Sequence, residues 1–289
     1  MTIEVISPGP LTTIQDLGRP GWAHIGVPRS GAADRESLQL ANQLVGNDGG
    51  AAALETTLVG PQLLFGARAT VALTGALVGP RLGDRPVPMN TAVQIGEGDI
   101  LKVGKAISGL RTYIAFAGGI EVQSVLGSAA TDTLTGLGPS PLVGGQILRL
   151  AGPDADRVPA ATADTARRPA SPSAPSHLHV ILGPRDDWFN ADAIAHLCGE
   201  SFTVTPSSNR IGLRLDGPSL GRARTDELLS EGLVPGAIQV PAGGQPILLL
   251  ADHPTTGGYP VVAVVAERDI PVAAQLRPGQ QVRFTAIDP

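Results

Sequence analysis

The chain has 289 residues, enough for one large domain or two medium ones, each with its own core. A formal charge of −5, two lysines among 21 basic residues and 3% aromatics exclude a general phosphate-backbone binder and a base-stacking platform. The lone Cys198 excludes an intrachain disulfide framework and a cysteine-rich zinc site.

At 42% hydrophobic and 16% charged residues, the composition is that of a globular chain, not a disordered one. Thirty-seven glycines and 26 prolines between short β-branched runs favour strands and tight turns over a helical bundle. The start, "MTIEVISPGP", lacks the basic-then-apolar pattern of a signal peptide, and no apolar run is long enough to cross a bilayer. A cytoplasmic location and no membrane partner are therefore expected.

The first strand is "IEVIS". After it, "TTIQDLGRPG" places Gln15, Asp16 and Arg19 at a turn, where Asp16 and Arg19 either pair with each other or leave the arginine fork for a carboxylate or phosphate. In "GVPRSGAADRESL", Ser30 and Asp34 are candidate caps for the following helix, whose N-terminus is also an anion site. That helix is predicted from Leu38, Ala41, Leu44 and Val45 on one face, with Gly46-Asn47 as its stop. "QLLF", "TVALTG", "RTYIAFAGG" and "QILRLAG" follow as strands. "GDILKVGK" only mimics a phosphate-binding loop: its spacing is one residue too long, and Ala106 stands where a hydroxyl is required.

Residues 152–176, rich in Ala, Pro and Ser, separate a β-rich half at 1–151 from a second at 177–289. In the second half, His177 and His179 fall on the same side of a strand, and no third ligand is near enough in sequence to suggest a metal. A helix is predicted over "DDWFNADAIAHLCG", and a third, shorter one in "TDELLSEG" with Thr225 as its cap. "PSSNRIGLRLDGP" carries Ser207, Ser208, Asn209 and Arg210 into a strand. This is either turn chemistry or a cluster of donors that grips a polar ligand. The expected class is mainly β, closed or strongly curved, with a few short helices.

The segment 230–260 predicts a hairpin that runs out through "AIQVP", turns at Gly243-Gly244 and returns through "PILLLAD". Gln239, mid-strand among apolar residues, must be tied to backbone or face a cavity. The return strand stops in "LADHPTTGGYP". There Asp252, His253 and Tyr259 offer acid–base groups, and Gly257-Gly258 permits close backbone approach.

Together, "LTTIQDLGRPG", "GVPRSGAADRESLQLANQLVGN", "LETTLVGPQLLF", "ALTGA", "SNRIGLRL", "SEGLVPGAIQVPAGGQPILLLADHPTTGGYP" and "QLRPGQQVRF" resemble the family of 5-oxoprolinase C subunits. The same family is labelled allophanate hydrolase subunit 2, biotin-dependent carboxyltransferase-like protein or Kip antagonist. The resemblance implies a cyclophilin-like β-barrel, with a carboxyltransferase-like first half and a barrel in the second. It also implies a stable complex with the B subunit, which is like allophanate hydrolase subunit 1. The A subunit would be a further partner, and no nucleic acid is implied. The implied reaction uses ATP with Mg2+ to phosphorylate 5-oxoproline, whose ring is then opened to glutamate. The chain would thus be one part of an ATP-dependent lactam hydrolase, active only with its partners.

By the same resemblance, Arg19 and Arg210 are candidates for anion or phosphoryl contact, and Asn209, Gln239 and Gln245 for hydrogen bonds to a small amide or carboxylate. Asp252 and His253 would handle protons or a magnesium-bound water. Thr255, Thr256, Gly258 and Tyr259 would line the pocket. No residue is assigned to the nucleotide, whose site is expected at the interface with the B subunit, and none is assigned to a metal. The alternatives are a carboxyltransferase or hydrolase component of the urea/allophanate pathway, a non-catalytic antagonist of a kinase inhibitor and, last, a prolyl isomerase. The chain has no biotin-attachment "MKM" and no amidase Ser-Ser-Lys machinery.

Overall fold

Strands Ala69–Leu77 and Ser108–Phe116 are buried along nearly their whole length, which requires cover on both faces of their sheet. A computed structural model describes residues 1–152, 175–224 and 226–288. The described chain falls into two compact units, Met1–Arg19 with Ser30–Pro169 and Pro20–Arg29 with Ala170–Pro289. Of the expected linker, residues 153–174 lie outside the described residues, as does Thr225, the expected cap of the third helix.

In the first unit, the two long strands sit inside a five-stranded antiparallel sheet ordered Thr12–Gln15, Ala53–Thr57, Ser108–Phe116, Ala69–Leu77, Val93–Ile95. Alternate residues sort to opposite faces. Leu54, Val71, Leu73, Ile114 and Phe116 join Ile3, Val5, Leu63, Phe65 and Leu101 of a second, seven-stranded sheet in one apolar cluster. Ala53, Ala72, Tyr113 and Ala115 turn the other way, onto Leu38, Ala41 and Leu44 of the helix Arg35–Leu44. Three alanines on that face leave room for a helix to lie close. The predicted cap holds: Asp34 accepts from Ser37 N at 3.0 Å and from Ser37 Oγ at 2.7 Å.

A polar knot pins this helix to the sheet. Glu55 accepts from Tyr113 OH at 2.7 Å and from Ala33 N at 2.9 Å, and it lies 3.5 Å from Arg111 Nε. Tyr113 OH in turn accepts from Asp34 N at 2.8 Å. Gly31, just before the helix, has φ +94°, and a Cβ there would lie 2.6 Å from Gly18 N. Gly31→Ala is expected to cost about 2 kcal/mol, since the left-handed conformation alone disfavours a side chain by ~1–2 kcal/mol. Urea unfolding indistinguishable from the parent chain would contradict this.

The second unit is a closed barrel of seven strands, ordered Ser176–Leu182, Val261–Val265, Ala237–Gln239, Ile247–Leu249, Gly212–Asp216, Ser201–Val204, Gln281–Ala286. It closes by parallel pairing of its first and last strands, Leu178 opposite Phe284. Leu178, Val180, Leu213, Leu248, Val262 and Phe284 fill the interior, and the helix Ala191–Gly199, capped by Asn190, packs on it through Ala193 and Leu197. The expected hairpin forms, with Ile238 opposite Leu248 and Gly244 at φ +78° in the turn. The class is as expected: mainly β, with a closed barrel and three short α-helices among the described residues.

The third predicted helix does not form. Residues 226–230 carry no regular structure, and Glu231–Gly232 is instead a short strand paired with Thr256–Gly257. Too few residues are available to repay helix nucleation. Leu229 is 86% exposed, and Arg185 grips Glu231 through both carboxylate oxygens. The helix Ile270–Ala274 was not anticipated; its signal is Pro271 in the first turn.

Candidate functional site

The strand Ile247–Leu249 stops at a polar corner because its partner stops too. Gly212 pairs with Leu249, Leu250 N donates to Ile211 O at 2.9 Å, and Asp252 N donates to Arg210 O at 3.1 Å. This register brings two polar loops, 207–210 and 251–260, side by side. Across them Arg210 and Asp252 form a two-pronged ion pair, Nε to Oδ2 at 2.8 Å and Nη2 to Oδ1 at 3.0 Å, with side chains 1% and 0% exposed. Both oxygens of the carboxylate are thereby engaged.

His253 follows directly and is also buried. Its Nδ1 lies 2.7 Å from Pro254 O. A carbonyl only accepts, so Nδ1 carries the hydrogen, and in the neutral ring Nε2 carries the lone pair. The chain beyond is open: Tyr259 is 50% exposed, and Thr256 and Gly258 are exposed as well. Thr255 is half-buried and its carbonyl accepts from Leu233 N at 2.9 Å, which ties the loop to the short two-stranded sheet. Glu231 in that sheet is held below the usual carboxylate range by the hydrogen bond from Arg185.

Several of the candidate ligand contacts make hydrogen bonds within the fold. Asn209 Oδ1 accepts from Ile211 N at 2.8 Å and from Gly212 N at 3.3 Å, and Ser208 Oγ accepts from Arg214 N at 3.0 Å, which is turn chemistry. Gln245 clips Gly217 with both ends of its amide, each at 3.1 Å. Gln239 is buried and donates to Tyr259 O at 3.1 Å, so it is tied to backbone and fixes the loop's far end. Arg210, expected at an anion, is sealed and committed to Asp252. Asp252, expected to carry protons, is held by a permanent cation.

Arg19 belongs to the first unit, whereas the other candidates belong to the second. Gln15 ends a strand instead of lying in a turn. Asp16 does not pair with Arg19: its carboxylate accepts from Gly18 N at 2.7 Å, Ser128 Oγ at 2.6 Å and Ala129 N at 2.6 Å. Reasoning from the sequence missed "GSAATDTLTG", residues 127–136, which supplies Ser128 and Ala129. Its signal was a run of small and hydroxyl residues around Asp132, whose carboxylate caps Leu134 N and Thr135 N.

A mainly β chain whose closed barrel ends in this corner, with a separate two-sheet unit, has the make-up of a carboxyltransferase domain. The chain belongs to that family: residues 25–286 match the model of the carboxyltransferase domain, subdomains A and B. Within it, the chain is 37% identical to the C subunit of the Escherichia coli 5-oxoprolinase, over 98% of this chain and 90% of that protein. It is 35% identical to urea amidolyase of Lachancea kluyveri over 98% of its own length, but spans only 17% of that protein. The solved urea amidolyase of K. lactis superposes with a TM-score of 0.93 at 32% identity, covering 99% of this chain and 19% of that one. The chain is thus similar to a separate polypeptide in one setting and to a small part of a much longer enzyme in the other.

Proposed function

We propose that the chain is the C subunit of an ATP-dependent 5-oxoprolinase, acting with the B subunit to activate 5-oxoproline and with the A subunit to open the ring to glutamate. The observation that carries this reading is the 37% identity to a 5-oxoprolinase C subunit over nearly the whole length of both chains. A lactam is a stable amide. Transfer of a phosphoryl group to its oxygen makes a leaving group and an electrophilic carbon, and the protein's task is to hold the ring and manage the amide proton.

In this reading His253 is the proton acceptor, through Nε2. Asp252 and Arg210 act by fixing the backbone that carries it, and Gln239 fixes the far end of the same loop. Thr255, Thr256, Gly258 and Tyr259 form the open wall against which the substrate rests. ATP and its Mg2+ are assigned to the interface with the B subunit. Among the described residues, no group of three His, Cys, Asp or Glu side chains is placed to hold a metal, and Asp252 is already taken.

The urea amidolyase relatives support a second reading, carboxyl transfer or hydrolysis in the urea/allophanate pathway. One experiment separates the two. The purified chain, mixed with its B and A partners, is supplied with 5-oxoproline, urea and allophanate in parallel while ATP use and glutamate are followed. The expected result is glutamate formation that requires all three polypeptides and falls at least ~100-fold for His253→Ala, the scale of a lost general base. Turnover with urea or allophanate alone would replace the first reading with the second.

A further inference from the structure

We infer that Arg185 and Glu231 are positioning residues for the candidate site: their ion pair clasps the wall at residues 255–259 and sets how tightly substrate is held there. The role of that wall rests on the function proposed above; the clasp itself rests on contacts within the second unit.

The wall is a stretch of loop, and it is braced from two sides. From the barrel, Gln239 donates to Tyr259 O at 3.1 Å. On the other side lies the short two-stranded sheet, where Glu231 pairs with Gly257, Gly232 pairs with Thr256, and Leu233 N donates to Thr255 O at 2.9 Å. The fit is close: a Cβ on Gly257 would lie 2.9 Å from Leu233 Cδ1 and 2.9 Å from Gln239 Nε2.

A two-stranded sheet is marginal in water by itself, and the segment that leads into this one, 226–230, has no regular structure. Arg185 supplies the anchor. Its N donates to Val261 O at 3.0 Å, and Gly183 N donates to Val262 O at 3.0 Å. The backbone of Arg185 is thus tied to the barrel strand Val261–Val265, into which the wall runs. Trp188 and Phe189, just beyond, are buried in the barrel core. From this fixed point the guanidinium reaches out and donates to both oxygens of Glu231, through Nε at 3.0 Å and through Nη2.

These contacts close a circuit. It runs from the Arg185 side chain to Glu231, across to Gly257, along the chain through Gly258, Tyr259 and Pro260 to Val261, and back to Arg185 N. In that circuit the ion pair is the one link made by side chains. Its members are 38% and 29% exposed, and pairs so open to water add little to global stability. A two-pronged contact does fix direction as well as distance, so the pair acts locally, on the sheet and through it on the wall. A loosened wall must be ordered each time substrate binds, which weakens ground state and transition state alike. The signature is a raised KM with kcat largely kept.

The test uses the full chain with Arg185→Gln, Glu231→Gln and the double variant. In the chain alone, NMR hydrogen exchange at Leu233 N–H is expected to be about tenfold faster in each single variant, with Leu250 N–H, bonded to Ile211 O in the barrel, unchanged. In the assembly with the B and A partners, each single variant is expected to raise KM for 5-oxoproline about tenfold while kcat falls less than about threefold. The double variant is expected to go no further, because both single changes remove the same contact. Unchanged exchange at Leu233, an equal gain at Leu250, an unmoved KM, or additive effects in the double variant overturns the inference. Absence of glutamate with the parent chain is instead a failure of the proposed function, and the exchange measurement, which needs no partner or ATP, then still decides the clasp.

Discussion

Asp252→Ala is expected to lower the unfolding free energy of the barrel unit by about 3–5 kcal/mol, the usual cost of breaking a buried ion pair from one side. The variant leaves the Arg210 guanidinium, 1% exposed, without the carboxylate that meets both its Nε and Nη2. The double variant Arg210→Met/Asp252→Leu is expected to regain most of that loss, because well-packed apolar residues replace a buried pair at little or no cost. Urea unfolding followed through the barrel transition measures both. A single-variant loss below about 1 kcal/mol would mean that Arg210 finds water or another acceptor.

The same pair changes how the corner can work. A carboxylate with both oxygens bonded to a buried guanidinium is poorly placed to carry a proton to a substrate. His253 has the better geometry for that role, with Nδ1 pinned by Pro254 O. Asp252→Ala should therefore damage activity by loosening the loop, and Asp252→Glu, which keeps the charge but not the reach, should damage it as well. His253→Ala should act on turnover directly. If the alanine variant at 252 keeps full turnover in the assembled enzyme while losing stability, the Arg210–Asp252 pair is framework alone.

How much of this was legible in the sequence depended on distance along the chain. The hairpin around Gly244, the helix after Asp34 and the long strands Ala69–Leu77 and Ser108–Phe116 follow from local periodicity and turn residues, and they form as expected, whereas Thr12–Gln15 and Ala53–Thr57 were not read as strands. So does the corner's existence, since Asp252 and His253 follow an apolar run. What each polar group bonds to was not legible. Arg210 and Asp252 are 42 residues apart, and only the pairing of Gly212 with Leu249 brings them together. Gln245, a candidate ligand contact, has both ends of its amide on Gly217, 28 residues upstream, which the sequence did not show. Pro20–Arg29 belongs to the second unit although the chain around it belongs to the first, a crossing that composition does not mark. A charge on a buried strand must find a partner, as Glu55 and Arg111 do, a clue that the reading of the sequence left unused.

That clue leads to the second large effect. Glu55→Leu is expected to cost about 3–5 kcal/mol in the first unit, since it removes the charge beside buried Arg111 and the acceptor of Tyr113 OH and Ala33 N. Tyr113→Phe, which removes only the hydroxyl between Glu55 and Asp34 N, should cost about 1–2 kcal/mol. The two also differ in pH dependence. Burial, and next the charge of Glu55, pushes the Tyr113 phenol well above its ordinary value. The folded chain thus holds this proton more tightly than the unfolded chain does. The contribution of Tyr113 is complete below the unfolded value of about 10 and is lost as pH climbs from there through the raised folded value. In a Tyr259→Phe background Tyr113 is the only phenol, because the chain has two tyrosines. Its phenolate absorbance should appear only with alkaline unfolding, and Tyr113→Phe should flatten the fall in stability above about pH 10. A phenolate that forms while the chain is still folded would mean that water reaches the knot, and the cost assigned to Glu55→Leu would then shrink toward that of an exposed pair.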